Sequence, residues 1–132
     1  MLLPESFHIV VTDCNHHVCD LLQRELEKEG YTVYSPRPAI KAYDYLLSSS
    51  RINLIILDPQ LFHSLDPILM STILSHHPEI QIILHTYKDI LCELEAGDNI
   101  HRVEKNAESI RALMDIVHNC FLSYINKEWP KL

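Results

Sequence analysis

The sequence predicts an α/β protein built on a doubly wound, five-stranded parallel sheet in the order 2-1-3-4-5. Three observations predict it. Apolar segments of strand length alternate with segments of helical period along the whole chain. The central segment Leu54-Ile55-Ile56-Leu57 is apolar throughout, as expected of a parallel strand buried on both faces. The connections are short, with no internal repeat, linker or low-complexity tract, and Ser48-Ser49-Ser50 reads as a turn. Alternating units joined by right-handed crossovers leave few layouts, of which this order is a common one.

Each element has its own signal. Residues 7–12 are rich in β-branched side chains and read as the first strand. Val18, Leu21, Leu22 and Leu26 then recur at helical spacing, with Glu25, Glu27, Lys28 and Glu29 opposite them. Gly30 stands where a helix ends. Residues 31–35 form a second short strand, Pro36 and Pro38 punctuate, and Ile40, Tyr43, Leu46 and Leu47 indicate a second helix. The third strand is 53–57, ended by Asp58-Pro59. The third helix is expected over 67–77, with Ile68, Leu69, Thr72, Ile73 and Leu74 in a broad apolar band. The fourth strand spans 80–85, a short fourth helix 89–96 and a weak fifth strand 100–104. A long fifth helix runs from 107 to about 125, with Ile110, Leu113, Met114, Val117 and Phe121 inward.

Composition bounds the function. One domain accounts for the 132 residues: 1–126 as the folded unit and 127–132 as a tail or the start of a linker. Hydrophobic residues at 47% supply a core and argue against disorder. Two glycines are too few for a phosphate-cradling loop or a dinucleotide fingerprint. A net charge of -7 argues against direct binding to nucleic acid, which needs a basic surface. No apolar run is long enough to span a bilayer, and the first residues lack the pattern of a signal peptide. Cys14, Cys19, Cys92 and Cys120 are scattered without a CxxC, so a reduced cytoplasmic chain is expected.

In such sheets the site lies beyond the carboxyl ends of the strands, at the switch point between the first and third. Those ends carry Thr12-Asp13, Asp58, His85-Thr86 and Glu104-Lys105. Two carboxylates about 6 Å apart repel by roughly 3 kcal/mol at an effective dielectric near 20. A divalent cation relieves that repulsion, and hard oxygen ligands select Mg2+. An ionised carboxylate held this way is a nucleophile towards phosphorus, while a lysine and a hydroxyl hold the phosphoryl oxygens. No serine sits with a histidine and an acid at these ends, so a hydrolase triad is not indicated.

With these residues in place, the sequence resembles the receiver domain of bacterial response regulators, a flavodoxin-like fold, over about 7–125. Ile9-Val10-Val11-Thr12-Asp13 is similar to the family's first strand, and Leu54-Ile55-Ile56-Leu57-Asp58 to its acceptor strand. Ile82-Ile83-Leu84-His85-Thr86 and Val103-Glu104-Lys105 are similar to its fourth and fifth strands. The resemblance implies Asp58 as phosphoacceptor, with Thr86 and Lys105 assisting. It implies Mg2+ held by Asp13, Asp58 and the backbone carbonyl of Gln60. It implies a histidine kinase or phosphotransfer protein as partner, self-catalysed phosphotransfer rather than a conventional enzyme activity, and a homodimer face formed by the fourth helix, fifth strand and fifth helix.

Six departures qualify the likeness. Thr12 replaces the first acid of the usual pair. At about 4 Å in water one carboxylate contributes roughly 2 kcal/mol to holding a divalent ion, so its loss weakens Mg2+ by about thirtyfold. Leu61-Phe62 and Asp66-Pro67 replace the usual Met-Pro and Asp-Gly after the acceptor. Tyr87 stands where a small residue leaves the phosphoryl group room, and Asn106 and Arg102 replace a proline and a switching aromatic near Lys105. A degenerate receiver that binds partners without phosphorylation is therefore the alternative.

Simpler roles compete for the same residues. Asp58 ends a strand before a proline, Asp13 is a natural helix cap, and Lys105 begins a helix, where its charge opposes the helix dipole. His16, His17 and Cys19 are too dispersed around a helix to converge on zinc. Ile116, Cys120 and Ile125 widen the apolar face of the fifth helix, either for the core or for a partner.

Overall fold

The computed structural model describes residues 3–38, 41–48, 51–62, 69–87 and 99–128. Its strands are β1 (His8–Val11), β2 (Thr32–Tyr34), β3 (Leu54–Leu57), β4 (Gln81–Thr86) and β5 (Ile100–Glu104). Its helices are α1 (His16–Lys28), α2 (Ala42–Leu47), α3 (Pro59–Phe62), α4 (Leu69–His76) and α5 (Ser109–Glu128). The five strands form one sheet in the order β2-β1-β3-β4-β5, every pair parallel, as the sequence predicts.

The period of two along each strand sorts one continuous apolar run into two cores. Ile9, Val11, Leu54, Ile56 and Ile83 face one side, where α1 and α5 cover them with Leu22, Leu26, Leu113, Val117 and Phe121. Val10, Ile55, Leu57, Ile82 and Leu84 face the other, against Ala42 and Leu46 of α2 and Ile73 of α4. Phe7, just before β1, packs edge-on to Phe121 with ring centroids 5.6 Å apart.

Local chemistry sets the ends of α1. Asn15 is the N-cap, its side chain accepting the His17 amide at 2.9 Å. Gly30 then turns the chain out with φ +96, the left-handed region that favours glycine.

The structure corrects several expectations. Pro59 ends β3 but also opens α3, because its missing N–H and fixed φ suit the first position of a helix. Leu47 is 47% exposed, and Ala42 takes an inward position on α2 instead. On α5, Cys120 is buried and Ile116 and Ile125 pack against the α1/α5 core, so these residues widen the inner face of the helix. The helix itself starts two residues late, at Ser109, and runs on to Glu128. The expected fourth helix, 89–96, lies outside the described residues, as do Ile40, Ile68, Cys92 and 129–132.

Candidate functional site

The switch point falls between β1 and β3, which pair in parallel while β2 lies on the other side of β1. Strand lengths and register therefore bring the residues just beyond Val11 and Leu57 side by side. Asp13 and Asp58 meet there, both buried. Lys105, just beyond β5, is fixed by its amide, which donates to the Thr86 carbonyl at 2.8 Å. Its ammonium reaches back to both acids, 2.8 Å from Asp58 Oδ2 and 3.1 Å from Asp13 Oδ2.

Asp58 is fully buried and densely bonded. Its Oδ1 accepts the Gln60 amide at 3.0 Å, the contact of a helix N-cap, so it caps α3 as well as facing Lys105. Its Oδ2 accepts from Lys105 and also from Cys14, through the amide at 3.3 Å and the thiol at 2.9 Å. Burial and the bond to Asp58 push the Cys14 thiol up to about 11, so it stays protonated and donates.

Thr12 is used internally. Its hydroxyl donates to the Ile56 carbonyl at 2.9 Å and accepts the Asp58 amide at 3.2 Å, tying the end of β1 to the end of β3. Thr12 thus ties down the backbone around Asp58.

Asp13 Oδ1 accepts the Asn15 amide at 2.9 Å, which leaves the capping of α1 to Asn15. Its buried Oδ2 has no directed hydrogen bond and faces Lys105 and, at 3.7 Å, His85 Nδ1. Burial pulls the Asp13 pKa upward, but His85, the Asn15 amide and Lys105 outweigh it and hold the carboxyl below the usual range. For Lys105 burial pulls downward, and the two carboxylates outweigh it, holding the ammonium above its ordinary value. His85 is buried between Asp13 and Ser109, with Nε2 3.0 Å from Ser109 Oγ at the start of α5, so a serine does stand with a histidine and an acid here, contrary to the sequence expectation; its hydroxyl donates to the Asn106 carbonyl at 2.9 Å.

The structure brings Asp13, Asp58 and Lys105 together and sets Thr86 at the end of β4 beside them. Of Gln60, the amide is the group that meets Asp58. Tyr87 is 54% exposed, its ring centroid 5.3 Å from Lys105 Nζ, so it stands against the lysine. The cover over Asp58 comes from Cys14 and Lys105. Cys14 is the site residue to which the sequence assigns no role, whereas His85 is placed at the strand ends but without its partners. The signal for both was adjacency, Cys14 following Asp13 and His85 preceding Thr86.

Among the described residues no three metal-binding side chains converge, which excludes a closed zinc-type cage there. Two carboxylates, one with an oxygen lacking a directed hydrogen bond, fit a hard cation that keeps most of its water, the habit of Mg2+.

Sheet order and site together define a class: a receiver-type fold with a lysine-bridged acid pair at the switch point. Solved structures bear out the fold. The chain is similar to a response regulator receiver domain protein from Bacillus halodurans, at 17% identity and TM-score 0.64, over 83% of this chain and 95% of that one. It is similar to a response regulator protein from Burkholderia pseudomallei, solved with a phosphorylated aspartic acid, calcium ion and citrate, at 21% identity and TM-score 0.60, over 94% and 75%. It is also similar to the constitutive lysine decarboxylase of E. coli, at 14% identity and TM-score 0.69, over 95% of this chain but 18% of that enzyme. No family model and no curated protein matches the sequence. The chain therefore has the receiver fold.

Proposed function

We propose that this chain is a phosphoacceptor receiver domain, taking a phosphoryl group on Asp58 from a histidine kinase or phosphotransfer protein. The observation that carries the reading is the Lys105 ammonium within 3.1 Å of both carboxylates, buried at the strand ends. A carboxylate oxygen of Asp58 attacks phosphorus, the P–N bond to the donor imidazole breaks, and the imidazole takes up a proton. Lys105 moves with the charge to the phosphoryl oxygens, Thr86 supplies a hydroxyl to them, and Asp13 stays ionised beneath. Asp13, Asp58 and the Gln60 carbonyl would hold Mg2+, which would supply further positive charge for the phosphoryl oxygens. The bond from Cys14 to Oδ2 must open first, and the exposed position of Cys14 permits that. The transfer is the domain's own, and the product is a signal read by a protein partner in the cytoplasm. No described helix is long and apolar enough to cross a membrane. With Ile116, Cys120 and Ile125 packed into the core, Leu122 is the exposed large apolar residue that α5 offers a homodimer.

A second reading rests on a specific observation: every oxygen of Asp58 already has a donor, and Thr12 is tied to the backbone. On that reading the fold is a partner-binding module without phosphotransfer. Beryllofluoride with Mg2+ separates the two. The first reading expects saturable amide shifts around Asp58, Thr86 and Lys105, and labelling by acetyl phosphate, both lost in Asp58→Asn. A wild type that responds to neither belongs to the second.

A further inference from the structure

A chain of buried polar groups runs from Asp13 to the first turn of α5. Asp13, His85 and Ser109 are all buried. His85 Nδ1 faces Asp13 Oδ2 at 3.7 Å, and both atoms lack a directed hydrogen bond. On its other side the ring meets Ser109 Oγ through Nε2 at 3.0 Å, and the Ser109 hydroxyl donates to the Asn106 carbonyl at 2.9 Å. Asn106 directly follows Lys105, and its side chain accepts the Glu108 amide at 2.8 Å, so the chain of groups ends on the turn that starts α5.

One hydroxyl carries one proton, and that assigns the ring. Ser109 gives its proton to Asn106, so it accepts from His85, and the ring proton sits on Nε2. Nδ1 is then a bare lone pair facing a carboxylate oxygen. Two acceptors with no proton between them stand apart, and 3.7 Å is well beyond a hydrogen bond. Lys105 makes this tolerable, because its ammonium already meets Asp13 Oδ2 at 3.1 Å. The other tautomer, with its proton on Nδ1, donates to Asp13 and helps hold that carboxyl low against the upward pull of burial. Ser109 then donates to Nε2, and the Asn106 carbonyl keeps only the Ser109 amide, at 3.2 Å.

We propose that His85 is a positioning residue with two neutral settings, one serving Ser109 and one serving Asp13, and that the place of Lys105 selects between them. While Lys105 bridges the acids, Nε2 keeps the proton. When the ammonium leaves Asp13, a hydrogen bond to the charged carboxylate outweighs the neutral bond from Ser109 to Asn106. One proton leaves Nε2 and one arrives at Nδ1, both exchanged with water, and the Ser109 hydroxyl turns to the ring. The new donor steadies Asp13 as such bonds steady metal-ligating carboxylates. The turn before α5 loses one of its bonds, so the state of the acid cluster is felt at that helix. The natural trigger, Lys105 drawn to a phosphoryl group, rests on the phosphoacceptor reading; the two settings do not.

Imidazole 15N NMR of the full chain, with the amides of 106–110 recorded alongside, tests this. The free wild type is expected to carry the His85 proton on Nε2. Beryllofluoride with Mg2+ is expected to move it to Nδ1 and to shift the amides of 106–110. Lys105→Met, or the smaller Lys105→Ala, is expected to move it without any ligand. Asp13→Asn, whose amide can donate to Nδ1, is expected to keep it on Nε2 throughout. Ser109→Ala is expected to abolish the beryllofluoride shifts at 106–110 while leaving that of the Asp58 amide, and Ser109→Thr, which keeps the hydroxyl, to restore them. A wild type whose Asp58 amide ignores beryllofluoride overturns the phosphoacceptor reading alone, and the Lys105 variants then decide the settings. Protonation at Nδ1 or at both nitrogens in the free wild type, an unchanged tautomer in the Lys105 variants, or shifts at 106–110 that survive in Ser109→Ala overturns the proposal.

Discussion

Cys14 shows how far a single side chain changes the meaning of a site. Its exposure suggests a reactive thiol, yet its proton is committed to a buried carboxylate. At about 11 against an ordinary 9.0, the thiolate fraction near neutral pH falls by about a hundredfold. Iodoacetamide is therefore expected to modify Cys14 about a hundredfold more slowly than a free thiol, read by peptide mass mapping. Asp58→Asn is expected to speed it by removing the charge that holds the proton, and an unchanged rate in that variant contradicts the account. Asp13, Asp58 and Lys105 were legible in the sequence because apolar strand segments fix where a strand ends. The thiol contact, the backbone role of Thr12 and the approach of His85 were not, because each depends on where a side chain points.

At the scale of elements, patterning placed β5 at its observed bounds and the central strands within a residue or two. What it missed has local causes. A proline after Asp58 reads as a terminator, but the same fixed φ starts a helix, and Asp58 then caps it. On α2 Tyr43 and Leu46 pack against the core, while Leu47 is left exposed and the small Ala42 fits against the sheet. The turn after α1 was legible at Gly30 and gives an element-scale prediction. A Cβ there needs a left-handed backbone and comes within 3.1 Å of Pro4 Cβ. Gly30→Ala is expected to cost about 1–2 kcal/mol in urea unfolding, the penalty of a strained φ for an L side chain. No loss of stability means that the turn relaxes at little cost.

For the whole molecule, the acid pair and its lysine make a buried charge cluster whose stability depends on pH. The Asp13 carboxyl is held below its ordinary value, so its contribution is present above about pH 4 and is lost as pH falls through the depressed value. Lys105 is held above its ordinary value, so its contribution persists at neutral pH and is lost only as pH rises through that raised value, beyond about pH 10. Between these limits Asp13 and Lys105 add no slope. Lys105→Met leaves two buried carboxylates facing each other and removes one of the groups that hold the Asp13 carboxyl low against the upward pull of burial. The variant is expected to be strongly destabilised at pH 7 and to recover part of the loss towards pH 5. A deficit that stays constant with pH contradicts the charge account.

The contact between Phe7 and Phe121 has a consequence for biosynthesis. One face of the central strand β1 is completed by α5, the last helix described. While the chain emerges from the ribosome, β1 to β4 can pair and α2 and α4 can close one core. The opposite face, carrying Phe7, Ile9, Val11 and Ile56, is not fully covered until α5 has left the exit tunnel. A nascent chain therefore presents this apolar face to solvent until α5 has been made, so the order of synthesis delays the closing of one of the two cores.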